Sequence, residues 1–345
     1  MNTYLSNQGL TGLINLGNSC YMNTIIQCLS NTELLVSLFN NKLKNDNLNN
    51  NDKGIVLNEF KRLIHGIWSE NCTISPNSFH NTFRKYSVKY DHINFVDSRQ
   101  NDSHEFLNLL LDILHEGICK KVNITISGIV ENEIDEMALN AMKSWKYFFK
   151  SSYSDIIDIF FGQFISEITD IEGNVLSRTY DPFPSISIEI PNLENINIYD
   201  CLNHFASYEI LDGDNKYYYS KTKEYITAKK NIKLWNSPKI LIINFKRFEK
   251  INDFITNKNS KYIDFPINNL NLVKYCTGYD KFESVYDLYA ICNHSGGTNG
   301  GHYYAYCKNN NGNWYEFNDK LVRKIDDSDL VTNNAYCLFY QKKKT

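Results

Sequence analysis

The sequence predicts an α+β fold. Apolar residues recur at helical spacing through roughly the first 150 positions. After about residue 158 they fall instead into short alternating runs, with turn signals such as Gly213–Asp214, Gly296–Gly297 and Asn311–Gly312 between them. Helices first and strands later belong to an α+β architecture rather than to alternating βαβ units.

In chain order, a helix is predicted to begin near Asn18–Ser19, because Met22, Ile25, Ile26 and Leu29 follow the i, i+3, i+4, i+7 rule of an amphipathic helix. The polar, Asn- and Lys-rich stretch Asn40–Asp52 reads as a surface loop. A second helix carries Phe106, Leu107, Leu109, Leu110, Ile113 and Leu114, with Asn101, Asp102 and Ser103 as candidate caps. A third covers 131–149, acidic at its start and basic toward its end, as the helix dipole favours. Strands are expected at Ser185–Ile190, Lys239–Phe245, Tyr286–Cys292 and Tyr303–Cys307.

With 345 residues, 42% hydrophobic and 22% charged, the chain has ordinary globular composition. A net charge of −3 gives no reason to expect nucleic acid as a partner. The opening MNTYLSNQGL has no basic and apolar leader pattern, and no apolar run reaches membrane-spanning length. A cytoplasmic or nuclear protein without a membrane partner is therefore expected. The nine cysteines (Cys20, Cys28, Cys72, Cys119, Cys201, Cys276, Cys292, Cys307 and Cys337) are odd in number and contain no CxxC pair. Free thiols, most of them small buried hydrophobes, are expected rather than a disulfide scaffold.

Two segments carry chemistry. In GLINLGNSCYMNTIIQCL (Gly12–Leu29), Cys20 falls at the mouth of the predicted helix. Unpaired backbone N–H groups and the positive dipole end there favour a thiolate. The same N–H groups, with the Asn15 side-chain amide, suit an oxyanion. Gly12 and Gly17 would allow tight turns before the helix. A buried cysteine beside a turn would fit this segment equally well. In HSGGTNGGHYYAYCKNNNGNWYEFND (His294–Asp319), His302 follows a loop of four glycines and opens a strand. A turn at Asn309–Gly312 would fold the chain into a hairpin and bring Asn318 or Asp319 beside the imidazole. A thiol nucleophile needs an imidazole to hold its proton and a third polar group to orient the ring. His294 competes for the role but lies before the flexible loop.

The order Cys, His, Asn is that of papain-like cysteine proteases, and the two segments resemble the cysteine and histidine boxes of the ubiquitin-specific protease family. QNDSHEFLNLLLDILHE (Gln100–Glu116) resembles the family's QQDAxEF segment, with Asn101 departing from it. FFGQFIS, DGDNKYYYSKTKEYITAKK and ILIINFKRF follow in family order. The resemblance implies a papain-like right hand forming one catalytic domain over 1–345, with a helical thumb at 1–150, mainly fingers at 158–235 and mainly palm at 236–345. It implies a thiol-dependent deubiquitinase acting at the C-terminal glycine of ubiquitin, with ubiquitin and ubiquitinated proteins as partners and a monomeric catalytic core. Cys20 would be the nucleophile, His302 the base, Asn318 the third member with Asp319 auxiliary, and Asn15 the oxyanion donor. Gln100, Asp102 and Glu105 would meet the ubiquitin tail, whose arginines suit carboxylates. Gly300 and Gly301 would line a channel narrow enough to select its Gly-Gly end. A non-catalytic ubiquitin-binding scaffold and a protease for another ubiquitin-like modifier are the alternatives. Family members often carry zinc between two CxxC pairs in the fingers. Thr169, Glu172, Tyr219 and Thr222 stand at those positions here, so no metal and no other cofactor is expected. Sheet pairing and the aromatic area of Tyr217, Tyr218 and Tyr219 would hold the fingers instead.

Overall fold

The computed structural model describes residues 8–43, 48–97, 99–250, 256–297 and 300–344. Helices dominate the first half: α1 (Cys20–Ser30), α2 (Glu33–Ser37), α3 (Asp52–Ser69), α4 (Asn77–Lys89), α5 (Ser103–Ile118), α6 (Glu133–Phe149) and α7 (Asp155–Phe160). One more, α8 (Ile198–Phe205), lies in the half read as strands. Its signal is in the sequence. Asn197 and Asp200 form a reciprocal capping box, and Ile198, Cys201, Leu202 and Phe205 follow helical spacing.

One predicted cap takes definite form, and the structure adds another. The Asp102 carboxylate accepts from the His104 and Glu105 N–H groups at the start of α5, and Asn132 accepts from Asp135 N at the start of α6. The predicted loop Asn40–Asp52 is shorter than expected. A π-helical turn covers Leu38–Lys42, Asn51 caps α3, and residues 44–47 lie outside the described segments.

The expectation of an amphipathic α1 is corrected, because all of its residues are buried. It packs on α5 from one side and on the strands Val285–Gly297 and Gly300–Lys308 from the other. A helix covered on every side needs its polar groups satisfied internally. Gln27 Nε2 accordingly donates to Thr11 O at 2.8 Å, and the Ser30 hydroxyl donates to Gln27 O at 2.9 Å.

Eight strands form the central sheet. Its main path runs Leu321–Ile325, Trp314–Asn318, Gly300–Lys308, Val285–Gly297, Ala335–Lys342, Ile240–Phe245 and Ile186–Ile188, with Leu270–Asn271 pairing to Val285–Gly297. Pairing is antiparallel except at the Ile186–Ile188 edge. Both faces are covered, which explains the run ILIINF, apolar except for the buried Asn244. Ile240 and Ile242 enter a core shared with α1, α3 and α5, while Leu241, Ile243 and Phe245 enter a second core with α8. The first core joins helices to sheet in one packed interior.

Four strands form a second sheet, in the order Val175–Phe183, Gly162–Thr169, Ala228–Asn236, Glu209–Leu211. Tyr217–Tyr219 and Glu224–Ile226 form a separate hairpin, with the Tyr218 and Tyr225 rings 5.2 Å apart. No helix among the described residues is long and apolar enough to cross a membrane.

Candidate active site

Cys20 is the first residue of α1, 3% exposed, at the end of a turn built by side chains. Gly17 (φ +95°) and Asn18 (φ +52°) occupy the left-handed region in succession, open to glycine and tolerated by Asn. Asn15 Oδ1 accepts from Gly17 N at 3.0 Å and Ser19 N at 3.1 Å, and Ser19 Oγ accepts from Leu16 N at 2.8 Å. Gly12 does not turn. It lies in the short strand Gly12–Leu13, paired with Thr73–Ile74, where a Cβ would press on the backbone of Lys320.

His302 is the third residue of Gly300–Lys308, and the predicted hairpin delivers Asn318 to it. Gly312 (φ +82°) helps turn the chain, and the pairing Ala305↔Phe317 sets the register. His302 Nε2 lies 2.7 Å from Asn318 Oδ1. An amide oxygen only accepts, so Nε2 carries the proton and Nδ1 is left for the Cys20 thiol. The hydrogen bond with Cys20 is the leading influence on His302. It outweighs burial, and with Asn318 and the charge of Asp319 it raises the imidazole to about 9.

Asn318 and Asp319 therefore part company. Asp319 Oδ2 lies 4.0 Å from His302 Nε2, beyond a hydrogen bond. It sits instead in a tight turn with φ +50° and ties that turn to the cysteine segment. Its Oδ2 accepts from Asn15 Nδ2 at 3.0 Å, its Oδ1 from Asn23 Nδ2 at 2.8 Å, and its carbonyl from Leu13 N at 2.8 Å. Asn15 Nδ2 thus spends one N–H on Asp319 and keeps a second.

His294 is a packing group, 4% exposed against Tyr303 and Phe248. Burial, then Lys258 and His302, push it down to about 4, and its Nδ1 has no hydrogen-bond partner among the described residues. The flexible glycine loop is corrected as well. Gly296 pairs with Gly301 and Gly297 with Gly300, so all four glycines extend the ladder of a hairpin, and Thr298 and Asn299 lie outside the described residues. Two of the four are required by contact. A Cβ on Gly296 would sit 2.6 Å from Gly300 O, and one on Gly301 would enter the His294 ring.

The three residues expected to meet a substrate tail all have partners within the protein. Gln100 bonds to the strand Gly300–Lys308, with Nε2 donating to Gly301 O at 2.9 Å and Oε1 accepting from Gly301 N at 3.1 Å. Asp102 caps α5 and accepts the Tyr336 hydroxyl at 2.6 Å. Glu105 accepts from Asn94 Nδ2 at 2.9 Å. Asp102 and Tyr336 also line a cavity of about 540 Å³ with His104, Asn244, Arg247 and Phe248.

Sequence reasoning missed Asn23, which has no periodic signal, and Glu316. Glu316 is two residues before Asn318 on the same strand face, and its Oε1 accepts from Asn318 Nδ2 at 3.2 Å. Thr169, Glu172, Tyr219 and Thr222 offer two hydroxyls, a phenol and one carboxylate, a set that does not fit zinc. Among the described residues, no group of three or more His, Cys, Asp or Glu side chains is gathered as for a metal.

A thiol, an imidazole and an amide in line are the parts that thiol-dependent acyl transfer requires. The chain belongs to the ubiquitin carboxyl-terminal hydrolase family, whose profile matches residues 11–340. Ubiquitin carboxyl-terminal hydrolase 2 of Homo sapiens is 34% identical, covering 97% of this chain and 56% of the relative. The protein of that name from Gallus gallus is 35% identical, covering 97% of this chain and 94% of the relative. The chain spans about half the length of the human and bovine relatives, at 56% and 55%. Among solved structures, a chain of the SAGA Ubp8/Sgf11/Sus1/Sgf73 DUB module bound to ubiquitin aldehyde superposes with a TM-score of 0.76 at 25% identity, covering 99% of this chain and 71% of that one.

Proposed function

We propose that this chain is a cysteine-type deubiquitinase that hydrolyses isopeptide or peptide bonds at the C-terminal glycine of ubiquitin. The observation that carries the reading is the line Cys20–His302–Asn318, assembled from three separate elements with the imidazole raised to about 9. Cys20 Sγ attacks the scissile carbonyl carbon while His302 holds the thiol proton. The oxyanion sits between the backbone N–H of Cys20 and the second N–H of Asn15 Nδ2. His302 then gives its Nδ1 proton to the leaving amine, and a thioester remains on Cys20. Water attacks the thioester, His302 takes its proton, and the ubiquitin carboxylate leaves with Cys20 restored. Gly300 and Gly301 form the narrow wall for the Gly-Gly end, and Asp102, Glu105 and Gln100 exchange their internal partners for the basic tail.

In this reading, 1–150, 158–235 and 236–345 act as thumb, fingers and palm of one catalytic unit, a monomer working in the cytoplasm or nucleus. Hydrolysis of a ubiquitin C-terminal reporter tests it. Wild type should turn over, Cys20→Ala should not, and a ubiquitin probe with a C-terminal electrophile should label Cys20. Absence of both turnover and labelling in folded protein would refute it.

A further inference from the structure

We propose that Glu316 is a positioning residue for the Cys20–His302–Asn318 line, selecting the orientation of the Asn318 amide and through it the nitrogen that His302 offers to the thiol. The proposal rests on the reading of that line as catalytic.

An asparagine side chain is nearly symmetric in shape but not in chemistry. Turned over, it would present Nδ2 rather than Oδ1 to His302. His302 Nε2 would then have to accept, the ring proton would move to Nδ1, and Nδ1 would no longer receive the thiol proton. An Asp at this position has no wrong orientation; an Asn needs a neighbour that tells its two ends apart.

Glu316 is such a neighbour. A carboxylate only accepts, so the contact between its Oε1 and Asn318 at 3.2 Å is satisfied by Nδ2 alone, which leaves Oδ1 for His302. Glu316 is itself held. It lies directly opposite Arg323 on the adjacent strand, and its Oε2 accepts from Arg323 Nε at 3.0 Å and Nη2 at 2.7 Å. The Glu316 side chain is 8% exposed, whereas that of Arg323 is 72% exposed. A buried carboxylate costs stability unless its oxygens are paired, and here one oxygen faces the cation and the other faces the amide. The strand geometry makes this automatic, since Trp314, Glu316 and Asn318 alternate onto one face. The charge also polarises the amide and strengthens Oδ1 as an acceptor, placing a carboxylate one residue behind a neutral third member.

The isosteric substitution Glu316→Gln separates positioning from packing. Arg323 has only donors, so the introduced glutamine must turn its oxygen to Arg323 and its NH2 to Asn318, which selects the wrong orientation. Glu316→Gln should lower kcat/KM on the ubiquitin reporter by about tenfold or more, as loss of an orienting partner behind a functional histidine typically does. Free-ubiquitin affinity should stay unchanged, and alkylation of Cys20 by iodoacetamide at pH 7, followed on the Cys20 peptide by mass spectrometry, should slow. Adding Asn318→Asp should restore both rates, because a carboxylate accepts from the introduced NH2 and from His302 alike. A role confined to packing would not be rescued in this way. The inference is overturned if Glu316→Gln is silent in both assays, or if it costs the same with Asn318 and with Asp at that position. Should wild type fail to hydrolyse the reporter while Cys20 alkylation still follows this pattern, the deubiquitinase reading falls and the positioning role stands.

Discussion

Replacing Gly12 by Ala should damage the active site through the backbone. A Cβ built there lies 2.6 Å from the carbonyl carbon and 2.8 Å from the Cα of Lys320, and closer still to its oxygen. Ordinary contact begins at 3.4 Å, so the two backbones must part by about 1 Å, and no flexible side chain is present to absorb the shift. The Leu13 N–Asp319 O hydrogen bond, 2.8 Å long, lies beside this contact and would open with it. Overpacking of this kind costs about 1–3 kcal/mol, of which the hydrogen bond accounts for roughly 1 kcal/mol. The turn that moves carries Asp319, which holds Asn15 and Asn23, and adjoins Asn318, which holds His302. Displacement of a reacting group by about 1 Å can cost on the order of a hundredfold in rate. Gly12→Ala should therefore lower kcat/KM by one to two orders of magnitude, on the order of that loss, at temperatures where thermal unfolding shows the variant still folded. Gly173→Ala is the control. It is strained by φ +99° but meets nothing within 4 Å, so it should lose stability without losing activity. If Gly12→Ala keeps both its melting temperature and its kcat/KM, the argument from close approach is wrong.

Four further outcomes are expected. Asn318→Ala should lower kcat/KM by about a hundredfold or more while leaving the melting temperature little changed, whereas Asp319→Ala should lower both, since it unties Asn15 and Asn23; the reverse pattern would exchange their roles. With His302 raised to about 9 by Cys20, Asn318 and Asp319, and with His294 as the neighbouring imidazole, the upper limb of the pH profile of kcat/KM should lie near 9 and move down in Asn318→Ala. Because this folded value lies above that of a free imidazole, the interaction stabilises the fold below about pH 6.5 and is lost as pH rises through about 9, a decline in melting temperature that Cys20→Ala should flatten. Purified protein should carry no stoichiometric zinc by elemental analysis, because Thr169, Glu172, Tyr219 and Thr222 offer no thiolate or imidazole; one zinc per chain would refute this.

Local patterns are legible in one dimension, and they located the parts of this protein. The cap at Asp102, the helix around Phe106–Leu114, the hairpin turn near Gly312 and the His302–Asn318 spacing follow from chemistry that acts over a few residues. The α8 capping box, Asn197 with Asp200, is equally local. What the sequence left open depends on partners far apart along the chain. Whether Asn318 or Asp319 serves His302 turns on a single turn with φ +50°, which sends one side chain to the imidazole and the next to Asn15, 304 residues away. Whether α1 shows one apolar face or is buried on all sides depends on the sheet and α5 closing over it. The glycine run became a paired hairpin, and Gln100 bridged to it from 201 residues away. Sequence by itself determined which residue types were present and which short elements they form, because propensity, capping and spacing act locally. Only the tertiary structure decided which donor meets which acceptor, because side-chain direction and burial are set by elements that meet only when the chain is folded.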